Sequence, residues 1–195
     1  PIESIQRQTD RMQRLLLELL ELAKLESETS IENPQQINLR AILEDLYSDA
    51  LSMDNGRHKI TLEAEDTWIE GNADEICIAI SNLITNAIRY TPDGKRIDIR
   101  LEHRNEDVCI MLKDEGIGIE AEHIPRLTER FYRVDPGRSR EQGGTGLGLA
   151  IVKHVLERHN GYLSIDSRPG HGSTFRCCFP ESSEQDEILP DVIQS

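Results

Sequence analysis

Apolar residues recur at helical spacing along the first part of the chain. Residues 1–28 place one at every third or fourth position, with Gln, Arg and Glu between them, which predicts one long helix. Because a lone helix cannot bury such a stripe, we expect it to pack against a helix from a second copy of the chain, in preference to lying on its own domain. The stripe comprises Ile5, Met12, Leu15, Leu16, Leu19, Leu22 and Leu25, widened by Leu17 and Leu20.

Beyond a polar linker predicted at residues 29–36, helical and alternating patterns succeed each other as far as residue 180. Helices are predicted after the N-cap Asn38, over residues 74–90 and over residues 146–158. The predicted strands cover residues 59–63, 68–69, 96–102, 107–113, 162–167 and 173–179.

This order of elements indicates the fold class. Strands that form hairpins between helices are typical of an α+β sandwich, with an antiparallel-rich sheet and the helices on one face. Residues 37–180 are expected to form that domain, and the acidic, Ser-rich residues 181–195 are expected to be a disordered tail.

Composition narrows the possible partners. The 195 residues include 36 Asp and Glu against 22 Lys and Arg, for a formal net charge of −14. Because nucleic acids and anionic lipids are polyanions, this charge argues against either as the main partner. No apolar run approaches the roughly 20 residues of a membrane span, and no signal peptide opens the sequence, so we expect a soluble chain.

The four cysteines predict no metal or redox site. None belongs to a CxxC pair, and each lies in an apolar stretch, where a free thiol behaves as a small hydrophobic group. We expect reduced thiols in a cytosolic protein, with the adjacent pair pointing to opposite faces of a strand. The residues are Cys77, Cys109, Cys177 and Cys178.

Two asparagines interrupt the apolar helix predicted at residues 74–90. Asn82 and Asn86 share one face, and Arg89 and Tyr90 follow a turn later. Asparagine oxygens suit Mg²⁺, which completes its coordination with water and phosphate, while Arg89 would meet phosphate and Tyr90 a flat base. Amides bonded to neighbouring backbone in the core explain the same pattern equally well.

A carboxylate and two glycines directly follow a predicted strand in Asp114-Glu115-Gly116-Ile117-Gly118-Ile119. Glycines let the backbone approach a ligand closely, and a carboxylate at a strand end can accept a hydrogen bond from an exocyclic amine such as that of adenine. Taken alone, the motif is explained more simply as an ordinary glycine-containing turn.

A glycine-rich turn leads into a helix at Gly143-Gly144-Thr145-Gly146-Leu147-Gly148-Leu149-Ala150-Ile151. Free N–H groups and the helix dipole make such a turn an anion site. Neither the GxxxxGK[ST] motif nor the dinucleotide fingerprint is present, so a phosphate cradle of another kind is favoured over a plain turn.

The segment between these two glycine motifs, residues 130–140, is polar, Gly- and Pro-containing and locally basic. Its arginines Arg133, Arg138 and Arg140, together with Arg89 and a Mg²⁺ ion, would favour a triphosphate, because acidic groups beyond about 8 Å are largely screened. The position of the segment indicates a lid over a nucleotide.

In combination, these motifs resemble the catalytic ATP-binding domain of bacterial sensor histidine kinases, in the superfamily shared with gyrase, Hsp90 and MutL. Residues 1–28 resemble the second helix of the family's dimerisation and phosphotransfer hairpin, and residues 124–131 are most similar to the phosphate-regulon (PhoR-type) kinases. The family's motifs are matched by residues 82–91 (N box), 114–119 (G1 box), 129–135 (F box), 143–149 (G2 box) and 172–175 (closing strand).

The resemblance implies a Bergerat-type fold: a two-layer sandwich of a mixed, mostly antiparallel sheet and three helices, preceded by the long N-terminal helix. It implies ATP and Mg²⁺ as ligands, with Asn86 and Asn82 holding the metal and Arg89 contacting phosphate. Tyr90 would pack on the base and Asp114 would bind the adenine amine. The resemblance further places Gly116, Gly118, Ile119 and Thr174 at the base, Tyr132 and Arg133 near ribose and phosphates, and Gly144, Thr145, Gly146, Leu147, Gly148 and Leu149 around the phosphates.

The family's phosphoacceptor histidine has no counterpart in this sequence. The chain is therefore expected to begin after the acceptor helix, as the cytoplasmic part of a membrane-anchored kinase, and to be unable to phosphorylate itself alone. The resemblance implies transfer of the ATP γ-phosphate to that histidine, relay to an Asp of a response regulator, and a homodimer formed through the hairpin. No catalytic role is assigned to His58, His103, His123, His154, His159 or His171.

Two other functions stay open. One is a nucleotide-dependent interaction module that transfers nothing. The other is a clamp-type ATPase of the same superfamily, which would need a catalytic Glu about where Asn82 stands.

Overall fold

The computed structural model describes residues 2–27, 31, 33–134 and 144–181. In this part of the chain the helices are α1 (Ile2–Ser27), α2 (Leu39–Asp54), α3 (Ala73–Tyr90) and α4 (Gly148–Arg158), with a short 3-10 helix at Ile124–Arg126. The strands are β1 (Gln35–Asn38), β2 (Lys59–Glu63), β3 (Trp68–Gly71), β4 (Arg96–Arg104), β5 (Asp107–Asp114), β6 (Tyr162–Ser167) and β7 (Ser173–Pro180).

Five strands form the main sheet, in the order β2-β4-β5-β7-β6. Strand β2 runs parallel to β4, and the other neighbours are antiparallel. The register places Asp114, the last residue of β5, opposite Ser173, the first residue of β7. A second, two-stranded antiparallel sheet joins β1 to β3.

Helix α3 lies at the centre of the helical layer because its apolar residues are spaced to bury one long face. Asn72 caps it, its side chain accepting a hydrogen bond from the N–H of Glu75 at 3.2 Å. The buried carboxylate of Glu75 is held by two hydrogen bonds from Arg158, at 2.9 and 3.0 Å, which link α3 to α4. The core side of α3 includes Ile76, Ile80, Leu83, Ile84, Ala87 and Ile88.

The predicted α+β sandwich, with a mixed and mostly antiparallel sheet, three helices and a preceding long helix, is confirmed. One part of its topology was predicted wrongly: β2 and β3 do not form a hairpin, because β2 pairs with β4 and β3 pairs with β1. Strand β1 was missed, and it includes the last two residues of the predicted linker, Gln35 and Gln36.

The prediction that all four cysteines are reduced is wrong for two of them. Cys109 and Cys178 are directly opposite each other on β5 and β7 and form a disulfide. Their separation of 69 residues gave no sign of this pairing, which only the strand register creates. Cys177 points to the opposite, helix-covered face of β7, as expected, and is a buried free thiol, as is the half-buried Cys77.

The stripe on α1 is divided between two environments. Leu22 and Leu25 are buried in the domain core, where α1 packs on α4. Met12, Leu16, Leu17 and Leu20 are each at least 60% exposed. The C-terminal half of α1 therefore lies on its own domain, which was the less favoured of the two alternatives. The apolar face in the middle of the helix stays exposed. Among the described helices, none is both long enough and apolar enough to cross a membrane.

Candidate nucleotide site

A cavity of about 840 Å³ lies beside α3 and contains residues from all the motifs singled out in the sequence. Its volume falls within the range of ligand sites, roughly 300 to 1,000 Å³. The predicted site residues that line it are Asn82, Asn86, Arg89, Tyr90, Asp114, Gly118, Ile119, Tyr132, Arg133, Gly144, Thr145, Gly146, Gly148 and Leu149. Three others, Gly116, Leu147 and Thr174, are not part of the lining.

Asp114 forms one end of the cavity. Its carboxylate is 5% exposed, and its Oδ1 accepts hydrogen bonds from the N–H groups of Gly116, at 2.8 Å, and Ser173, at 3.3 Å. Burial raises the pKa of Asp114, against the opposing effect of these two bonds. Because both bonds go to Oδ1, the Oδ2 atom is the one left to accept a hydrogen from a ligand.

Gly116 lies behind this carboxylate, where no side chain would fit. A Cβ atom there would be 2.4 Å from Asp114 Oδ1 and 2.7 Å from the carbonyl oxygen of Tyr90. The same carbonyl accepts a hydrogen bond from the N–H of Ile117 at 3.2 Å, which ties the glycine loop to the end of α3. Gly116 therefore shapes the pocket wall without lining it.

Thr174 was expected at the base site, but the β7 residues that line the cavity are its two neighbours, Ser173 and Phe175. Side chains alternate along a strand, so the residue between these two faces the other side of the sheet. The prediction was displaced by one residue along β7. The motif predicted the correct strand. It did not predict which residues of that strand face the cavity, because this depends on the register of β7 against β5.

The two predicted metal ligands differ in their surroundings. Asn82 donates through Nδ2 to the carbonyl of Ile78 at 2.9 Å, and its Oδ1 lies 2.6 Å from where a Cβ on Gly148 would be. Asn86 is half-buried in the lining, and its amide has no bond to any described residue. The free amide of Asn86 therefore fits a Mg²⁺ ion that takes its other oxygens from phosphate and water.

The glycine-rich turn meets the basic residues of the cavity. Arg89 Nη1 lies 3.4 Å from the position of a Cβ on Gly144, and the Tyr90 hydroxyl and Arg133 Nη2 lie 3.7 and 3.9 Å from it. Leu147 points away into the core and is fully buried, which explains its absence from the lining. Helix α4 begins at Gly148, so its first N–H groups adjoin this end of the cavity.

The turn is also held by the segment before it. Gly146 has a φ of +80°, and its carbonyl accepts a hydrogen bond from the N–H of Phe131 at 2.9 Å. A Cβ on Gly146 would lie 2.9 Å from the Phe131 backbone. Tyr132 follows, with its hydroxyl 2.7 Å from His123 Nδ1 and the Arg126 guanidinium 4.2 Å above its ring. Arg138 and Arg140 of the predicted lid, the last residue of the F box, Asp135, and the first residue of the glycine-rich motif, Gly143, lie outside the described residues.

Two groups of lining residues were not predicted from the sequence. The first comes from α1: Arg14 lines the cavity, and Glu18 both lines it and accepts a hydrogen bond from the hydroxyl of Thr145. The second is mainly apolar and lies on α2 and α3, where it includes Leu46, Met53, Cys77 and Ile78. The four-residue spacing of Arg14 and Glu18 placed them on one helix face, but nothing local indicated which surface that face meets.

Among the described residues, no group of three or more His, Cys, Asp or Glu side chains is arranged to hold a metal ion. Asp114 and Glu18 are also the only carboxylates in the described lining. A metal in this cavity would therefore depend on amide oxygens and on the ligand's own phosphates, as the asparagine motif suggested.

Comparison with known proteins agrees with this geometry. The family model described as histidine kinase-, DNA gyrase B- and HSP90-like ATPase matches residues 71–183. The phosphate regulon sensor protein PhoR of Pseudomonas aeruginosa is 46% identical over 180 residues, which cover 91% of this chain and 41% of PhoR. The chain spans less than half the length of the curated relatives it matches.

Two solved structures show the same fold. The Acinetobacter baumannii histidine kinase AdeS matches with a TM-score of 0.72 and 23% identity, covering 92% of this chain and 83% of AdeS. Full-length ShkA, solved in complex with AMPPNP, matches with a TM-score of 0.78 and 18% identity, covering 93% of this chain and 38% of ShkA. The chain therefore belongs to the family of histidine kinase-, DNA gyrase B- and HSP90-like ATPases, and it carries the ATPase catalytic domain of a sensor histidine kinase.

Proposed function

We propose that this chain is the catalytic core of an ATP-dependent protein-histidine kinase, which transfers the γ-phosphoryl group of ATP to a histidine on a helix outside the sequence. The observation that carries the proposal is one cavity with two chemically distinct parts. Tyr90 connects them, because its carbonyl contacts the loop behind Asp114 and its hydroxyl lies beside Gly144. The ATP analogue in the structurally similar ShkA is consistent with a nucleotide at such a site.

Asp114 selects the base in this proposal. Its Oδ2 atom accepts a hydrogen from the exocyclic amine of adenine, while the Oδ1 atom stays bonded to backbone N–H groups. The apolar Ile119 and Phe175 side chains cover the faces of the ring. A base with a carbonyl in place of the amine would bring two acceptors together, which disfavours guanine.

The phosphates lie between α3 and the turn at residues 144–148. Arg89 and the N–H groups at the start of α4 bind the phosphates and balance their negative charge, and Arg133 approaches the same turn. Asn86, with Asn82 beside it, would hold a Mg²⁺ ion, which supplies charge neutralisation for the phosphates when bound. Because the transfer needs no general base, the protein acts mainly by positioning the reactants and stabilising their charge.

The transfer itself is an in-line displacement. A histidine nitrogen of the acceptor attacks the γ-phosphorus, the bond from that phosphorus to the β,γ-bridging oxygen breaks, and ADP leaves with that oxygen. Residues 1–28 are the second helix of the phosphotransfer hairpin in this proposal, so the acceptor helix would cover the exposed apolar residues of α1. A homodimer through the hairpin, relay to an Asp of a response regulator, and a membrane anchor upstream complete the proposed kinase.

A phosphotransfer assay tests the proposal. Purified chain, ³²P-labelled ATP and Mg²⁺ would be mixed with a separate helical hairpin that carries the acceptor histidine. We expect acid-labile label on the hairpin and none on the chain alone. Asn86→Ala should abolish transfer, whereas Asn105→Gly, in the exposed turn between β4 and β5 where φ is already +56°, should leave it unchanged. ATP hydrolysis with no label on the hairpin would instead favour a clamp-type ATPase.

A further inference from the structure

A buried histidine–aspartate pair lies outside the cavity lining. The side chains of His58 and Asp54 are 0% and 1% exposed, and they join the start of β2 to the end of α2. Asp54 Oδ2 accepts the backbone N–H of His58 at 2.8 Å, and Asp54 Oδ1 contacts His58 Nδ1. On its other side, His58 Nε2 lies 2.8 Å from the carbonyl oxygen of Thr91.

The partners of His58 fix where its hydrogens are. The Thr91 carbonyl can only accept, so Nε2 carries a hydrogen. Burial by itself would raise the pKa of Asp54, but the hydrogen bonds and charge of His58 outweigh it and lower that pKa, which keeps the carboxylate ionised. Arg57 also lies near the pair, with Nη2 at 3.9 Å from Asp54 Oδ1 and Nη1 at 4.0 Å from Asp93.

The bond to Thr91 reaches the base pocket through one peptide unit. Thr91 directly follows Tyr90, whose carbonyl accepts the N–H of Ile117 at 3.2 Å. That carbonyl would also lie 2.7 Å from a Cβ on Gly116, so the loop backbone packs closely against the end of α3. The loop residues that follow, including Gly118, line the cavity beside Asp114.

We propose that His58 is a positioning residue for the base pocket: its hydrogen bond to the Thr91 carbonyl fixes the end of α3, and with it the loop that holds Asp114 in place. His58 touches no ligand in this arrangement and acts only through Thr91 and Tyr90. The inference rests on the assignment of the base to Asp114. A loosened Thr91 would let the 116–119 loop shift, so the amine of adenine would no longer meet Asp114 Oδ2 at hydrogen-bonding distance.

Selectivity for the nucleobase distinguishes an effect of His58 on the base pocket from an effect on the stability of the fold. It would be measured well below the melting temperature, where every variant is folded. We would compare dissociation constants for ATP and for purine riboside triphosphate, which lacks the 6-amino group. The parent should prefer ATP by about tenfold, the worth of one buried hydrogen bond. His58→Phe keeps a ring but cannot form a hydrogen bond to Thr91. It should reduce that preference to threefold or less, chiefly by weakening the binding of ATP.

His159 provides a matched control. It is equally buried and bonds to two backbone groups, the N–H of Asn72 at 3.0 Å and the carbonyl of Val155 at 2.7 Å, at the opposite end of α3 from Thr91. His159→Phe should lower the melting temperature and leave the ATP preference at its parental value. If His58→Phe does not fold, His58→Gln and His58→Asn replace it. The longer Gln amide can reach Thr91 and should keep most of the preference, whereas Asn is too short and should lose it.

The outcomes are distinct. A parent that prefers ATP, together with a His58→Phe or His58→Asn variant that keeps the full preference, overturns the inference about His58 alone. An equal loss of preference in His159→Phe overturns it as well, because the effect would then follow general destabilisation. A parent with no preference for ATP over the analogue overturns both the base assignment and the role of His58.

Discussion

In the proposed function, recognition of the nucleotide depends most on the side chain of Asp114. One of its oxygens is fully used by backbone N–H groups, so the orientation of the other is fixed before any ligand arrives. Such preorganisation reduces the entropy lost on binding. It also makes the site sensitive to any change that removes the charge.

Replacing Asp114 with Asn should weaken ATP binding by about 10- to 100-fold, because one acceptor is lost and an amide N–H₂ would face the adenine amine. Isothermal titration calorimetry would measure the change. Asp107→Asn is the matched control: Asp107 lies at the other end of β5, where it accepts a hydrogen bond from the Tyr162 hydroxyl. Unchanged ATP affinity in Asp114→Asn would remove Asp114 from the base site.

The raised pKa of Asp114 predicts a pH dependence for the same interaction. Because the folded state holds this proton more tightly than the unfolded state, acidification favours the protonated, folded form, which cannot accept from adenine at Oδ2. ATP preference over purine riboside triphosphate should therefore decline as pH falls, beginning above the pH of about 3.9 at which an ordinary Asp titrates. Because both ligands carry the same triphosphate, titration of the phosphates cancels in the ratio of their dissociation constants. A preference that stays constant until pH 4 would contradict the assignment.

Helix α1 contributes a negative charge to the phosphate part of the cavity. Glu18 accepts a hydrogen bond from Thr145, within the turn that would bind phosphate. A like charge about 4 Å away costs about 1 kcal/mol in water, equivalent to about fivefold in affinity. Glu18→Gln should therefore bind ATP several-fold more tightly in a titration, whereas Glu21→Gln, outside the lining, should match the parent. Weaker binding in Glu18→Gln would mean that the contact with Thr145 supports the turn.

The elements themselves were largely predictable because their signals are local. The local sequence pattern predicted six strands to within two residues at every end, and the N-cap Asn38 and the apolar spacing of α3 predicted two helices. What failed depended on contacts between distant residues. The parallel pairing of β2 with β4, the pairing of β1 with β3 and the place where α1 lies have no counterpart in local periodicity.

For the site too, local motifs were predictable and features that depend on contacts between distant residues were not. Short motifs predicted that Asn86, Asp114 and residues 144–146 would share one site, and these residues do line one cavity. Thr174 was predicted in place of its neighbour Ser173, because which β7 residues face the cavity depends on the register of β7 against β5. Glu18 and Arg14 were missed because their helix reaches the cavity only through packing of α1 on α4.

The disulfide between Cys109 and Cys178 constrains the chain as a whole. It joins two strands of the central sheet and closes a loop across a separation of 69 residues, for which chain entropy gives a stabilisation of about 4 kcal/mol. Reduction should therefore lower the melting temperature by roughly 10 °C for a chain of this size. Differential scanning calorimetry with and without dithiothreitol would show it. The double variant Cys109→Ala/Cys178→Ala should not respond to reductant, and an unresponsive parent would contradict a disulfide in the protein.

The proposed function requires that residues from α3, β5 and the turn at 144–148 bind one nucleotide together. A crystal structure with a non-hydrolysable ATP analogue and Mg²⁺ tests this most directly. We expect the adenine amine at Asp114 Oδ2, and the phosphates between Asn86, Arg89 and the start of α4. A nucleotide bound elsewhere, or one whose base lies away from Asp114, would contradict the account.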